Sequence, residues 1–193
     1  MAEKTNKNNG YLEGSLLVAT PLTKDACFEK AVIYICAHNE TGAMGILVNH
    51  TIDDLRYTDI LSQLGIKPSE INFDHYPIYF GGPVESAKGF ILHSSDYFKQ
   101  GTQILNSNIS ISSTIEILKD IAQGRGPNKQ IFALGCAGWA PGQIENEIKE
   151  NAWINIPADE RIVFDLNNEE KWQKANDYFG INLANYSHSI GNA

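Results

Sequence analysis

At 193 residues, with 42% hydrophobic and 20% charged positions, the chain has the size and composition of one globular domain that can bury a core without disulfide staples. A formal net charge of −8 and the lack of any Lys/Arg cluster beyond the lone Arg125 in Gly124-Arg125-Gly126 disfavour direct nucleic-acid binding, which needs a basic stripe to displace phosphate counterions. Three widely spaced cysteines without a C-x-x-C, a polar N-terminus without an apolar leader core, and no apolar run near the roughly 18 residues of a membrane helix lead us to expect a reduced, cytoplasmic protein with no membrane segment.

Residues 1–10 read as a disordered tail and residues 11–193 as a single domain. Ser15–Thr20 is a short apolar run stopped by Pro21, which suits a buried strand. Ala31–Ala37 is β-branched and reads as a central strand, and Ala43–Asn49 as its return strand after the polar loop His38–Gly42. A strand, a short loop and a strand make an antiparallel hairpin. Tyr57–Leu64 is a helix closed by Gly65; Pro77–Phe80 and Gly89–His93 are strands around Gly81-Gly82-Pro83-Val84. Ile109–Ser112 adds a strand. The helix after it is capped by Ser112 or Ser113, with Glu116 completing a capping box and Ile115, Leu118 and Ala122 facing inward. Gln130–Leu134 is a strand. Pro141–Asn151 is a helix with Ile144 and Ile148 inward and a Glu145–Lys149 pair outside. Arg161–Phe164 reads as a strand, and Glu169–Phe179 as a last helix with Trp172, Ala175 and Phe179 inward; Tyr186–Ala193 reads as a loose end. Strands outnumber helices and come in hairpins, so the fold class is α+β and mostly antiparallel, not doubly wound.

Four stretches in order resemble the AlgH/YqgE family of bacterial proteins. They are Leu17–Pro21 with Phe28–Asn39, Gly42–Asn49, Gly81–Val84 with Gly89–His93, and Ala133–Trp139 running into Gly142–Glu145. The resemblance implies a barrel-like or bifurcated β-sheet core flanked by helices. It supplies no catalytic residues, because the family is mainly uncharacterised, with one branch linked genetically to regulation of alginate production. Cys136 stands where Tyr is common, and His50 follows Asn49 where Lys or Arg commonly precedes Pro.

The candidate sites are weighed against plainer roles. Between Gly135 and Gln143, Pro141 suits the first helical position, which leaves Ala140 as a cap without a side-chain acceptor. The N–H groups of Gly142 and Gln143 could then meet an anion, or be satisfied by a loop carbonyl, a remote side chain or water. Trp139 is a packing anchor or a stacking platform. Gly81-Gly82-Pro83 could present N–H groups to a ligand or be a plain tight turn; it is neither a dinucleotide nor a Walker fingerprint. Cys36 and His38 would share a face of a regular strand, as a dyad or as packing. His38, His50, His75, His93 and His188 have no metal-ligand spacing, so neither metal nor cofactor is expected.

The hypothetical ligand face is therefore Asn49, Gly81, Gly82, Pro83, His93, Gly138, Trp139, Gly142 and Gln143. The expected function is a non-catalytic binding or regulatory protein that recognises an unknown small ligand or protein partner. The alternatives are a hydrolase-like enzyme using the glycine-rich face, and a transcriptional regulator acting directly or through a partner.

Overall fold

The computed structural model describes residues 10–178 and Gly180, except Glu70 and Asp74. The expectations for both chain ends, His188 and Phe179 lie outside the described residues. The chain runs β1 (Ser15–Ala19), β2 (Val32–Asn39), β3 (Gly42–Leu47), α1 (Tyr57–Gln63), β4 (Ile78–Phe80), β5 (Val84–Ser94), β6 (Thr102–Ile104), β7 (Ile109–Ser112), α2 (Ile115–Ala122), β8 (Gln130–Trp139), α3 (Gln143–Lys149), β9 (Trp153–Pro157) and α4 (Asn168–Tyr178). Eight strands follow the order β6-β7-β5-β8-β3-β2-β1-β9, and β4 joins off this path. Every pairing is antiparallel except β4 with β8. The fold is α+β, with a curled half-barrel sheet.

The sheet bifurcates at β8. One edge of β8 carries β5, while the other carries β4 beside Phe132–Leu134 and β3 beside Ala137–Trp139. The central strands are buried on both faces, which is why their sequences are continuous apolar runs and not alternating ones. Leu16, Val18, Val32, Tyr34, Ile46 and Val48 form one core with Ile162, Val163 and Ala175. Leu17, Ala19, Ile33, Ile35 and Leu47 form another with Trp139, Ile144 and Trp153. A third core joins α1 and α2 through Tyr57, Leu61, Ile117, Leu118 and Ile121.

Several local expectations are corrected. Arg161–Asp165 is a π-helical turn, not a strand, and it buries Ile162 and Val163 together under the sheet. Trp153–Pro157 is a strand that the sequence reading left unassigned. The cap of α2 is Thr114, without a side-chain hydrogen bond; Ile115 is exposed, and the buried face is Ile117, Leu118, Ile121 and Ala122. Glu145 bonds His38 across the fold, with Nε2 to Oε1 at 3.0 Å.

Candidate functional site

The nine residues of the expected ligand face fall in four places. Gly81 and Gly82 carry the chain from β4, on one edge of β8, across that strand to β5 on the other. A Cβ on Gly81 would lie 2.2 Å from the Gly135 carbonyl oxygen; one on Gly82, at φ 144°, would lie 2.2 Å from the Cys136 carbonyl carbon. Gly135 returns the constraint, since its own Cβ would sit 2.2 Å from Gly82 O. The Gly81 N–H donates to Leu134 O at 2.8 Å, and its carbonyl accepts from Leu47 N–H at 3.1 Å. These two glycines are backbone-on-backbone packing, with Pro83 fixing the exit from the crossing.

His93 is fully buried. Its Nδ1–H donates to Ser94 O at 2.9 Å and its Nε2 accepts from the Ser112 hydroxyl at 3.0 Å, while Thr102 Oγ1 meets Ser112 Oγ at 3.0 Å. Burial holds the imidazole below its ordinary pKa. Asn49 stitches the start of β2: its Oδ1 accepts from Val32 N–H at 2.8 Å and its Nδ2 donates to Lys30 O at 2.9 Å. It also lines a shallow cleft with Thr51, Asn168 and Trp172.

The supposed thiol–imidazole pair is separated by a β-bulge between Ile35 and Ala37, which breaks the alternation of a regular strand. Cys36 turns into the first core and donates to Tyr34 O at 3.7 Å. His38 Nδ1 accepts the Leu12 N–H at 3.0 Å, so its proton sits on Nε2, which donates to Glu145. Burial pushes all three thiols up, Cys27 to about 11 and Cys36 well beyond that, with Cys136 in the same direction.

Gly138, Trp139 and Gln143 are brought together at the end of β8, and Gly142 caps α3 beside them. The helix starts later than expected: Gly142, at φ 74°, is its cap, and Pro141 lies outside. The Gln143 N–H donates to Ala140 O at 3.0 Å, and the Gln143 side-chain oxygen accepts the Ala140 N–H at 3.0 Å. One of the two donors expected to meet an anion is therefore already bonded within a tight turn, and the neighbouring acidic side chains Glu145 and Glu147 oppose an anion there.

What stands at this corner is an aromatic cleft of about 450 Å³. β9 pairs with β1 so that Trp153 lies opposite Ala19, and β3 pairs with β8 so that Trp139 lies opposite Ala43. The two indoles meet edge to face, with centroids 6.1 Å apart at 80°, and Phe28 meets Trp153 at 5.6 Å and 69°. Both indole N–H groups donate to one oxygen of Glu147, from Trp139 at 2.9 Å and from Trp153 at 2.8 Å. Gln143 Nε2 donates to the other oxygen at 2.7 Å. Buried indole N–H groups need partners, and a carboxylate one turn into α3 serves both. Thr23 Oγ1 donates to Ala152 O at 2.7 Å and Thr20 Oγ1 to Asn151 O at 2.6 Å, which pins the Leu22–Phe28 segment over the cleft. Asp25, Lys24 and Glu150 stand at its exposed rim.

Sequence reasoning missed Phe28, Glu147 and Trp153. The strand signal for Trp153 was present in Trp153-Ile154-Asn155-Ile156 before Pro157; no sequence signal linked Glu147 to two indoles far apart in the chain. Among the described residues no group of His, Cys, Asp and Glu side chains is arranged to hold a metal ion, and no helix is long and apolar enough to cross a membrane.

The split sheet and its covering helices define the class, an α+β domain with β8 as the branch strand. The chain belongs to the AlgH-like family: the DUF179 family model, described as AlgH-like, matches residues 16–184. A UPF0301 protein of Rhodospirillum rubrum is 42% identical over 187 residues, covering 97% of each chain. One from Rhodopseudomonas palustris is 45% identical over 190 residues, covering 95% of this chain and 87% of its own. The solution structure of the AlgH protein from Pseudomonas aeruginosa is similar with a TM-score of 0.79 and 37% identity, over 100% of both chains. A crystal structure of a protein from Corynebacterium diphtheriae, at 18% identity and a TM-score of 0.72 over 91% of both chains, shares the fold.

Proposed function

We propose that the protein is a non-catalytic binding protein, and that its site is the Trp139–Trp153 cleft. The observation that carries this is a cleft of about 450 Å³ whose aromatic walls are held in place by Glu147 before any ligand arrives. That volume lies within the roughly 300–1,000 Å³ of small-molecule sites, and apolar walls with a few fixed polar groups are their usual construction. The cleft suits a small molecule or one projecting side chain of a protein partner. The hydrolase reading is not supported by the thiols, all of which are held in the protonated, weakly nucleophilic form. Direct DNA contact gains nothing from Arg125, whose guanidinium pairs with Asp120 at 3.4 Å.

The test uses the indole N–H signals of the three tryptophans in ¹H–¹⁵N spectra. Trp139 and Trp153 share Glu147, whereas Trp172 donates to Ala19 O at 2.8 Å and does not line the cleft. A panel of neutral, anionic and cationic metabolites is expected to contain compounds that move the first two signals and leave Trp172 still. If no member moves either signal, the reading is wrong.

A further inference from the structure

The two longer helices turn very different faces inward. α2 buries Ile117, Leu118, Ile121 and Ala122, and its one buried charge, Asp120, takes donors from Tyr97, Lys99 and Arg125. Between Asn168 and Asp177, the positions of α4 that are not exposed are Asn168, Lys171, Trp172, Ala175 and Asn176. Their spacing is that of a helix stripe facing a core, which is ordinarily apolar; here three of the five side chains are polar. Lys171 is 1% exposed and Asn176 fully buried. Buried polar groups are costly unless they are bonded, and these are bonded only in part. The Lys171 ammonium carries three N–H groups and donates to one acceptor, Val48 O, with the Tyr79 ring 5.3 Å away. Asn176 donates to Trp172 O of its own helix, and its Oδ1 has no partner among the described residues. The bonds that tie α4 to the sheet run from Lys171 to Val48 O, from Trp172 Nε1 to Ala19 O and from Tyr79 OH to Asn168 Oδ1, beside the apolar contacts of Ala175 and Trp172. A cleft of about 670 Å³ follows the seam, lined by Lys30, Asn49 and Thr51 on one side and by Asn168, Glu169 and Trp172 of α4 on the other.

We infer that α4 is a displaceable cover: it leaves the sheet before the fold as a whole unfolds, and Lys171 sets how firmly it is held. Elements that move are drawn from the least stable parts of a fold, where buried apolar contact is small. Departure returns the ammonium and the Asn176 amide to water and uncovers the Val48 carbonyl and the Tyr79 ring. The charge on Lys171 makes the hold depend on pH. Burial brings its pKa down to about 8, from 10.5 in a released helix. Between those values the docked helix holds fewer protons than the released one. Docking therefore strengthens as pH rises through this window, and is weakest and flat well below pH 8. Tyr34, Cys36 and Tyr79, on the sheet face that α4 packs against, are raised by burial and stay neutral there. His50 is lowered by burial and is neutral there too. Lys30, Glu169, Glu170 and Lys174 lie at the surface, and Arg161 and Asp165 of the π-helical turn pair with Asp159 and Lys129.

The test is site-resolved hydrogen exchange on the full chain at about pH 7 and pH 9, corrected for the intrinsic exchange rate. At the lower pH the amides of residues 172–178 are expected to open at least about tenfold more often than those of β2 and β3. Their opening constant should fall about tenfold between the two pH values, and should not respond to pH in Lys171→Met. The wild-type series is decisive even if that variant does not fold. Equal protection of α4 and the central strands would show that α4 leaves only on global unfolding, and would overturn the inference. Early opening of α4 with one constant at both pH values would do the same, because Lys171 would then not set the hold. So would a pH response that persists in Lys171→Met. None of these results bears on the Trp139–Trp153 cleft, which is read through its own indole signals.

Discussion

Two stretches of one strand carry glycines that look alike in sequence and do opposite things. At Gly135, β8 is crossed by Gly81-Gly82 so tightly that each backbone occupies the space where the other's Cβ would be. At Gly138 the nearest atom to an added Cβ is a Val84 methyl at 3.4 Å, an ordinary contact, and the strand ends in Trp139 and the open cleft. Glycine therefore marks two different needs along β8. At the crossing it lets two backbones touch and leaves no room for a ligand; at the cleft the room is made by side chains from β8, α3, β9 and the segment before β2. A glycine-rich motif indicates a close approach, and only the neighbouring elements determine whether backbone or ligand makes it.

The sharpest way to break this comparison is Gly82→Ala. The added methyl would sit 2.2 Å from main-chain atoms of β8 at a φ of 144°, so neither a rotamer change nor a small side-chain shift relieves it. We expect a loss of more than about 4 kcal/mol, seen as insoluble protein or a collapsed denaturation midpoint. A well-folded variant with unchanged stability would show that the crossing is looser than described.

The next effects concern charges held inside the fold, where a half-buried carboxylate with three donors stands against a buried ammonium that donates to one carbonyl. Glu147→Ala leaves two buried indole N–H groups without partners and should cost about 2–3 kcal/mol in urea unfolding, with both indole signals displaced and Trp172 unmoved. Lys171, 1% exposed, donates to Val48 O at 2.6 Å and lies 5.3 Å from the Tyr79 ring. Burial pulls its pKa from 10.5 down to about 8. Between those values the unfolded chain holds a proton that the folded chain has released, so this residue makes stability rise with pH above about 8. The buried thiols work the other way above pH 9, so the quantity to measure is wild type minus Lys171→Met. That difference should grow in favour of wild type by about 2 kcal/mol from about pH 7.5 to 9.5. A difference independent of pH would mean that Lys171 keeps its charge at an ordinary cost.

The hairpin of β2 and β3, the α1 stop at Gly65 and the inward Ile144 were legible because each depends on neighbours in sequence: a polar loop between apolar runs, a glycine at φ 67°, a helical repeat. The bulge at Cys36 and the π-turn at Arg161–Asp165 were not, because each is set by what lies across the fold, and the late start of α3 turns on Gly142 taking a φ of 74° after a tight turn at Ala140. Arg161–Phe164 has strand-like residues, yet the core under the sheet takes Ile162 and Val163 from a helical turn. The candidate site divides on the same line. Trp139, Gly138 and Gln143 were visible as one local motif; Phe28, Glu147 and Trp153 join them only through β9 pairing with β1 and α3 packing beneath. Asn49, Gly81, Gly82 and His93 drew notice for residue type, and each is occupied by internal bonds or contacts.

The smallest expected effects test the open end of β8. Gly142 has φ 74° and nothing within 4 Å of an added Cβ, whereas Gly138 has no positive φ and an ordinary neighbour. Gly142→Ala should therefore cost about 1 kcal/mol, the strain of a left-handed L-residue without any clash. Gly138→Ala should change stability by less than about 0.5 kcal/mol. Because its methyl would stand on the cleft wall, Gly138→Ala should still alter ligand-induced shifts at the Trp139 indole. A variant that is neutral in stability and neutral at that signal would place Gly138 outside the ligand's reach, and would confine the site to the three rings and the carboxylate that ties two of them together.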